Sequence, residues 1–322
     1  MRVLVTGGSG YLGSAIVRAL ARDGHVPVVF ARRASAAGLP GVAVDGDVRS
    51  RSDVLTAARG ADAVCHSAAL VSIWRRRPAD FDDINVGGLQ NVVDVCRELA
   101  TPRIIYTSSF LAYPPAGRRE PLSANGYQRT KARAAAVARD AATSGLPIIT
   151  MVPGVIYGPG PATEANLVSR LVQDHLSGRL PGVIGASKVW SYAFVDDVAD
   201  GHVQAIVRGR SGEVYHLGGE NAPQMRPFEI VREVTGHGLP RRIPFAAAWA
   251  VGLVEEARAA LTGRMPLLTR GAVEIFRHDW PLDSARSVAE LGYRIRPLNE
   301  GVRTILESVP RPPERPNARP NR

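Results

Sequence analysis

Within Tyr127-Gln128-Arg129-Thr130-Lys131, two side chains have the types and spacing to move a proton. Four residues apart on a helix, they share one face with Cβ atoms about 5–6 Å apart, so an ammonium can lie beside a phenol. A free phenol titrates near 10, and bringing it to neutrality takes roughly 4 kcal/mol of preference for the phenolate. A nearby cation supplies part of that. The chain has only two lysines, Lys131 and Lys188, and nearly all of its 40 basic residues are arginine. A site that needs a compact point charge keeps lysine, because arginine is a planar fork. The same spacing also occurs as a surface helix pair, so the remaining chain must supply the site.

The elements that would position this pair begin at the N-terminus. Residues 2–6 form an apolar run that ends in T-G-G-S-G-Y-L-G, followed by apolar periodicity to Ala21. Strand, glycine turn and helix in that order cradle a dinucleotide, with backbone N–H groups at the helix start facing its phosphates. Gly7 permits the turn, Gly10 lets the phosphates approach, and Gly13 lets the helix lie close, with Tyr11 and Leu12 between them. The next strand, Val26–Ala31, ends in Arg32-Arg33 with no acid, which favours the 2′-phosphate of NADP over the bare ribose of NAD. In an arginine-rich chain the two can also be solvated, so NAD stays possible.

A third strand at Val42–Val44 leads to Asp47-Val48, where a carboxylate can meet an adenine amino group. The fourth, Asp62–Cys65, leads to His66-Ser67-Ala68-Ala69, whose small residues leave ligand space at a carboxyl end. His66 is read as structural. Trp74 with Arg75–Arg77 reads as an exposed loop that can reach substrate, and 81–99 as one long helix carrying Asn85. The fifth strand opens onto Ser108-Ser109, where a hydroxyl can share a carbonyl oxygen with Tyr127. The sixth ends in P-G-V-I-Y-G-P-G, so Pro153 and Val155 can wall a nicotinamide whose positive oxidised form would further favour the phenolate.

The pattern is α/β: a Rossmann-type doubly wound parallel sheet in residues 1–160 with a return near 188–210, and a smaller interleaved lobe in 161–187 and 211–308. The proline- and arginine-rich stretch 309–322 reads as a disordered basic tail. A charge of +10 and a pI near 10.3 would suit nucleic acid, but the arginines are scattered and not interleaved with aromatics. Cys65 and Cys96 lack metal-ligand spacing and read as buried thiols of a reducing compartment. No metal site, signal peptide or membrane span is expected, and a cytoplasmic location follows.

Together, T-G-G-S-G-Y-L-G, D-V at 47–48, H-S-A-A at 66–69, Y-T-S-S at 106–109, Y-Q-R-T-K at 127–131 and P-G-V-I-Y-G-P-G at 153–160 resemble the extended short-chain dehydrogenase/reductase family. The similarity spans nearly the whole chain and looks most like the dihydroflavonol reductase, 3β-hydroxysteroid dehydrogenase and farnesol dehydrogenase-like branch. It implies Tyr127 as acid/base, Lys131 as its pKa modulator and ribose ligand, Ser109 (or Ser108) as substrate-orienting hydroxyl, and Asn85 as support for a proton relay. It also implies a homodimer through the helices that hold Asn85 and Tyr127. Family members that act on nucleotide sugars carry arginines where this chain has Val152 and Trp190. With Leu180, Tyr192 and Trp249 as further candidates, a hydrophobic alcohol or ketone is the expected substrate. A nucleotide-sugar epimerase or dehydratase with tightly bound NAD, and a non-catalytic dinucleotide sensor, are the alternatives.

Overall fold

The structure is a computed structural model that describes residues 1–308; the expected disordered tail, 309–322, lies outside the described residues. In chain order the elements are β1 (Arg2–Thr6), α1 (Tyr11–Arg22), β2 (Val26–Ala31), β3 (Val42–Asp45), α2 (Arg51–Ala58), β4 (Ala63–His66), α3 (Ala79–Asp82), α4 (Gly88–Glu98), β5 (Ile104–Thr107), α5 (Gly126–Thr143) and β6 (Ile148–Pro153). There follow β7 (Val155–Tyr157), α6 (Leu167–Leu176), β8 (Val183–Ile184), β9 (Val189–Phe194), α7 (Val195–Arg208), β10 (Val214–Leu217), β11 (Glu220–Pro223) and α8 (Arg226–Thr235). The last are β12 (Arg242–Ile243), α9 (Phe245–Thr262), α10 (Arg270–Phe276), α11 (Ala285–Leu291) and α12 (Leu298–Ser308).

Seven parallel strands in the order β10-β6-β5-β4-β1-β2-β3 form the main sheet. Strand order reverses between β4 and β1, the crevice where open α/β sheets bind ligands. Alternation along each strand feeds two cores. Val3, Val5, Cys65, Ile105 and Ile149 pack under α1 and α7 on one face, while Leu4, Val28, Val64, Ile104 and Tyr106 pack under α4 and α5 on the other. Parallel strands covered on both faces must be apolar throughout, which is why their sequences read as runs.

The lobe has its own core, in which Phe110, Leu122, Trp190, Tyr192, Phe194 and Trp280 meet β7, α6 and α12. The expected return near 188–210 is redistributed. β9 joins a three-stranded sheet with β7 and β11, only α7 covers the main sheet, and β10 extends the main sheet beyond 210. A four-residue strand is too short to show a period, so its neighbour β6, which it meets only in three dimensions, decides its place. The expected helix 81–99 is also interrupted: α3 and α4 are joined by a π-turn at Asp83–Gly87 that contains Asn85. A β-carbon on Gly88 would stand 3.0 Å from a Val48 methyl, so α4 begins pressed against the β3–α2 connection.

Gly13 fixes α1 to the turn before it, because a β-carbon there would lie 2.1 Å from the Gly7 carbonyl oxygen. Replacing it by alanine must move backbone against backbone. We expect Gly13→Ala to lower stability by about 1–3 kcal/mol, the usual cost of overpacking, measured as a fall in the urea midpoint. An unchanged midpoint would show that the turn relaxes freely.

Candidate active site

The site is built on three neighbouring strand ends. Register aligns Thr6 with His66 and His66 with Tyr106, so these three residues stand in a row at the carboxyl edge. The Thr6 hydroxyl bonds His66 Nδ1 at 2.8 Å, and the Ser67 hydroxyl donates to the Thr6 carbonyl at 2.8 Å. Burial pushes His66 down to about 3, with Lys131 adding to the effect, so its imidazole is neutral. It stacks on Tyr106 with ring centroids 6.0 Å apart, a structural role that matches its sequence reading.

α5 starts at Asn125, whose side chain accepts from the Gln128 N–H, and this cap sets the helix so that Lys131 faces inward. Lys131 is buried, its Nζ donating to the Thr107 carbonyl at 2.8 Å and lying 5.4 Å from the Tyr106 ring centre. Among the described residues no carboxylate is paired with it, and burial pushes it down to about 7. Burial pushes the partly buried Tyr127 phenol up, and a hydrogen bond with Ser109 opposes that rise. The Lys131 amine is bonded to a carbonyl, and burial makes it hold its own proton weakly.

Ser109 is buried and caps the short helical turn Phe110–Ala112, its Oγ accepting from the Leu111 N–H at 3.2 Å. Ser108 is buried beside the Tyr106 and Tyr113 phenols, where burial pushes both up and Ser108 opposes that rise. Of the two serines, Ser109 is the one that opposes the upward push on the Tyr127 phenol. Asn85 bonds both backbone groups of Leu70, at 2.7 and 3.3 Å, and the Thr130 hydroxyl at 3.0 Å. These contacts lock the 70–77 loop, which carries the partly buried Trp74, to α5, and none of them reaches Lys131.

At the opposite end of the row, Gly7 has φ +69 and a β-carbon there would lie 2.7 Å from Ala68 Cα, so the protein's own backbone demands glycine. At Gly10 the nearest atom would be 3.1 Å away, a mild constraint that leaves room for a ligand above it. α1 begins at Gly10 with no side-chain cap and no acid in its first turn, an exposed positive dipole end suited to phosphates. The buried Tyr11 hydroxyl beside it has no hydrogen-bond partner among the described residues. These features fit a dinucleotide.

Arg32 and Arg33 are exposed at the end of β2. Pairing sets Ala31 beside Asp45, an acid that sequence order hid, and its carboxylate takes the Ser35 N–H and hydroxyl at 2.9 and 2.6 Å. Asp47 is paired with Arg49, which holds its carboxyl below the usual range, with Arg32 contributing. It borders a cleft of about 650 Å³ with Ser50, Gly87 and Asn91, while Val48 packs beneath. Ser67, Ala68 and Ala69 are partly buried at the β4 end, Leu12 is partly buried on α1, and Pro153 and Val155 are buried at the β6–β7 junction.

The weaker substrate candidates are rearranged. Trp190 and Tyr192 are core side chains of the lobe; the Trp190 indole lies 4.9 Å from Phe276 and 6.0 Å from Phe110 and donates to the His278 carbonyl. Leu180 packs in a satellite cluster with Val183, Met225 and Phe228, and Trp249 stands 44% exposed on α9. Apolar composition marks them as lobe residues, but which of them faces a cleft depends on packing. Sequence reasoning missed Thr107, Tyr106, Thr130 and Phe110; period-two alternation in β5 was the available signal for Tyr106, which shares the α5 side of the sheet with Ile104. Among the described residues no cluster of potential metal ligands occurs.

Such an arrangement can hold a dinucleotide across the strand ends and pass a proton beside it, which is the class of dinucleotide-dependent α/β oxidoreductases. Within that class the chain belongs to the NAD dependent epimerase/dehydratase family, whose model matches residues 3–218, and it is an NAD(P)-dependent enzyme of the extended short-chain dehydrogenase/reductase type. It is 30% identical over 308 residues to sterol demethylase protein B of Methylococcus capsulatus, covering 91% of this chain and 93% of that protein. It is also 30% identical over 330 residues to the 4-hydroxy-2-methyl-3-oxo-4-farnesyl-3,4-dihydroquinoline-1-oxide ketoreductase of Stigmatella aurantiaca, covering 96% and 97%. The Thermus thermophilus UDP-glucose 4-epimerase in complex with NAD superposes with a TM-score of 0.75 at 25% identity, covering 96% and 98%.

The buried amine makes stability depend on pH with a definite sign. Below about pH 7 Lys131 is protonated folded and unfolded, and its desolvation penalty is fully present. Between there and the ordinary value of 10.5 only the unfolded chain keeps the proton, so stability rises with pH. We expect Lys131→Met to stabilise the cofactor-free protein by on the order of 2 kcal/mol at pH 6 and by much less near pH 10. Urea unfolding at both pH values checks this, and a pH-independent loss of stability would contradict it.

Proposed function

We propose that the protein is an NADP(H)-linked oxidoreductase that interconverts a hydrophobic alcohol and its carbonyl. The observation that carries this reading is the aromatic wall next to the Ser109–Tyr127 pair. Phe110 directly follows Ser109 and packs on Trp190 and, at 5.4 Å, on Trp280. Val152 and Trp190, at the places where nucleotide-sugar enzymes would carry arginine, are both buried and apolar, so neither can neutralise a diphosphate. The names of two relatives, a sterol demethylase protein and a farnesyl-quinoline ketoreductase, point to substrates of similar character.

In this reading Gly7, Gly10 and the start of α1 hold the pyrophosphate, Arg32 and Arg33 the 2′-phosphate, and Asp47 and Val48 the adenine. Lys131 holds the ribose, while Pro153 and Val155 wall the nicotinamide. When bound, the cofactor supplies or accepts the hydride. In the reducing direction Tyr127 gives its proton to the carbonyl oxygen as charge develops there, and Ser109 holds that oxygen. The raised pKa of Tyr127 keeps the phenol protonated for this step. In the oxidising direction the same oxygen returns the proton, and a charged Lys131 favours the phenolate. Asn85 acts as a positioning residue through Thr130 and Leu70. The chain is further read as a cytoplasmic homodimer paired through α4 and α5.

The epimerase alternative is favoured by the structural likeness to the NAD-bound UDP-glucose 4-epimerase. A dehydrogenase changes nicotinamide absorbance with every turnover, whereas an epimerase shows no net change. Steady-state assays with hydrophobic ketones, hydrophobic alcohols and nucleotide sugars separate the two.

Tyr127→Phe should lower turnover about a hundredfold or more, with cofactor affinity nearly unchanged. Near-normal turnover would remove Tyr127 from the acid/base role. Arg32→Ala should weaken NADPH roughly tenfold more than NADH, since a bidentate contact to phosphate is lost; equal effects in a fluorescence titration would end the case for NADP.

A further inference from the structure

α9 breaks the rule that a surface helix turns its polar side to water. Only Ala248, Gly252 and Ala259 are buried, and they define one face, which lies against α10 where a β-carbon on Gly252 would meet Arg270 N at 2.9 Å. The exposed face carries Trp249, Val251, Leu253, Val254 and Leu261, and the charged residues of the helix, Glu255, Glu256 and Arg258, are partly buried and held in ion pairs. Val254 is 66% exposed and Leu261 88%, and the apolar surface continues past the helix through Met265 and Leu267, at 43% and 75%. A contiguous apolar patch of this kind marks an interaction site.

We infer that this face docks flat on an anionic lipid surface. Charge is what selects the occupant. Residues 241–277 hold six arginines and three glutamates. Glu255, Glu256 and Glu274 are paired with Arg258, Arg270 and Arg277, which leaves Arg241 and Arg242 just before the helix and Arg264 just after it uncompensated within the segment. Arg76, from the loop that Asn85 anchors, lies 3.5 Å from where a Gly263 β-carbon would be and adds a cation at the same end. An apolar stripe framed by cations matches acyl chains framed by lipid phosphates. A second copy of the chain would bring the same cations against these. Among the described residues no helix is long and apolar enough to cross a membrane, so α9 lies on the surface and does not span it.

The patch is also next to the site. α10, on which α9 packs, approaches the Ala124 carbonyl, one residue before the cap of the helix that carries Tyr127. Docking this face would bring the helix that carries Tyr127 near the bilayer, where a hydrophobic substrate would partition. That consequence rests on the proposed function; the docking itself does not.

Sedimentation with phosphatidylglycerol/phosphatidylcholine vesicles tests the docking without any substrate. The full chain should co-sediment with the anionic vesicles, more weakly with phosphatidylcholine alone, and less as salt is raised. Val254→Glu/Leu261→Glu should reduce the bound fraction at least about tenfold while thermal unfolding stays unchanged, because both side chains are exposed. A blue shift of tryptophan emission on vesicle addition should vanish in Trp249→Phe. Equal partitioning of wild type and double variant would overturn the inference. So would a dimer that the double variant dissociates while neither form binds vesicles, which would assign the face to a second copy. Ketone turnover in the absence of vesicles is read separately, so the two proposals fail independently.

Discussion

A buried lysine ammonium held by a single backbone carbonyl is the constraint around which the rest of this structure is arranged. Lys131 sits in the interior with the Thr107 carbonyl as its hydrogen-bond partner and the Tyr106 ring beneath, and among the described residues no carboxylate is paired with it. Such a charge is costly to bury unless paired, and the cost appears as a pKa near 7. A fold that places a cation there forgoes stability and keeps a centre whose charge responds to whatever else enters the cleft. Tyr127 is tuned from the other side, by Ser109, with burial pushing it up.

The supporting structure is a set of cross-links between strand ends and helix starts. His66 ties β4 to Thr6 at the end of β1, and His202 on α7 bonds the Thr107 hydroxyl at 2.9 Å, fixing the strand end whose carbonyl receives Lys131. Both imidazoles are held neutral by burial, His202 at about 4, so neither adds a competing charge. Asn85, in a π-turn that breaks an otherwise continuous helix, joins the 70–77 loop to Thr130 on α5. Irregular backbone at this point is what brings an amide within reach of both partners.

The lobe packs directly onto the candidate site. Its interior is aromatic, and Phe110, which directly follows Ser109, shares one cluster with the partly buried Tyr127. Cys65 and Cys96, buried with thiols pushed up to about 12, belong to the packing and not to the chemistry.

Much was legible in the sequence because it is local. The glycine turn, the apolar parallel strands and the Tyr127–Lys131 spacing are set by backbone sterics and helical period over a few residues. Tertiary structure alone decided the rest. It put Asp45 beside the Arg32 turn, β10 at the sheet edge, the Lys131 amine on the Thr107 carbonyl, and Trp249 in solvent while Trp190 went into the core. Each depends on a partner distant in the chain: residue type and spacing fix which groups are available, and burial, acting through neighbours the sequence does not order, fixes their charge and what they face.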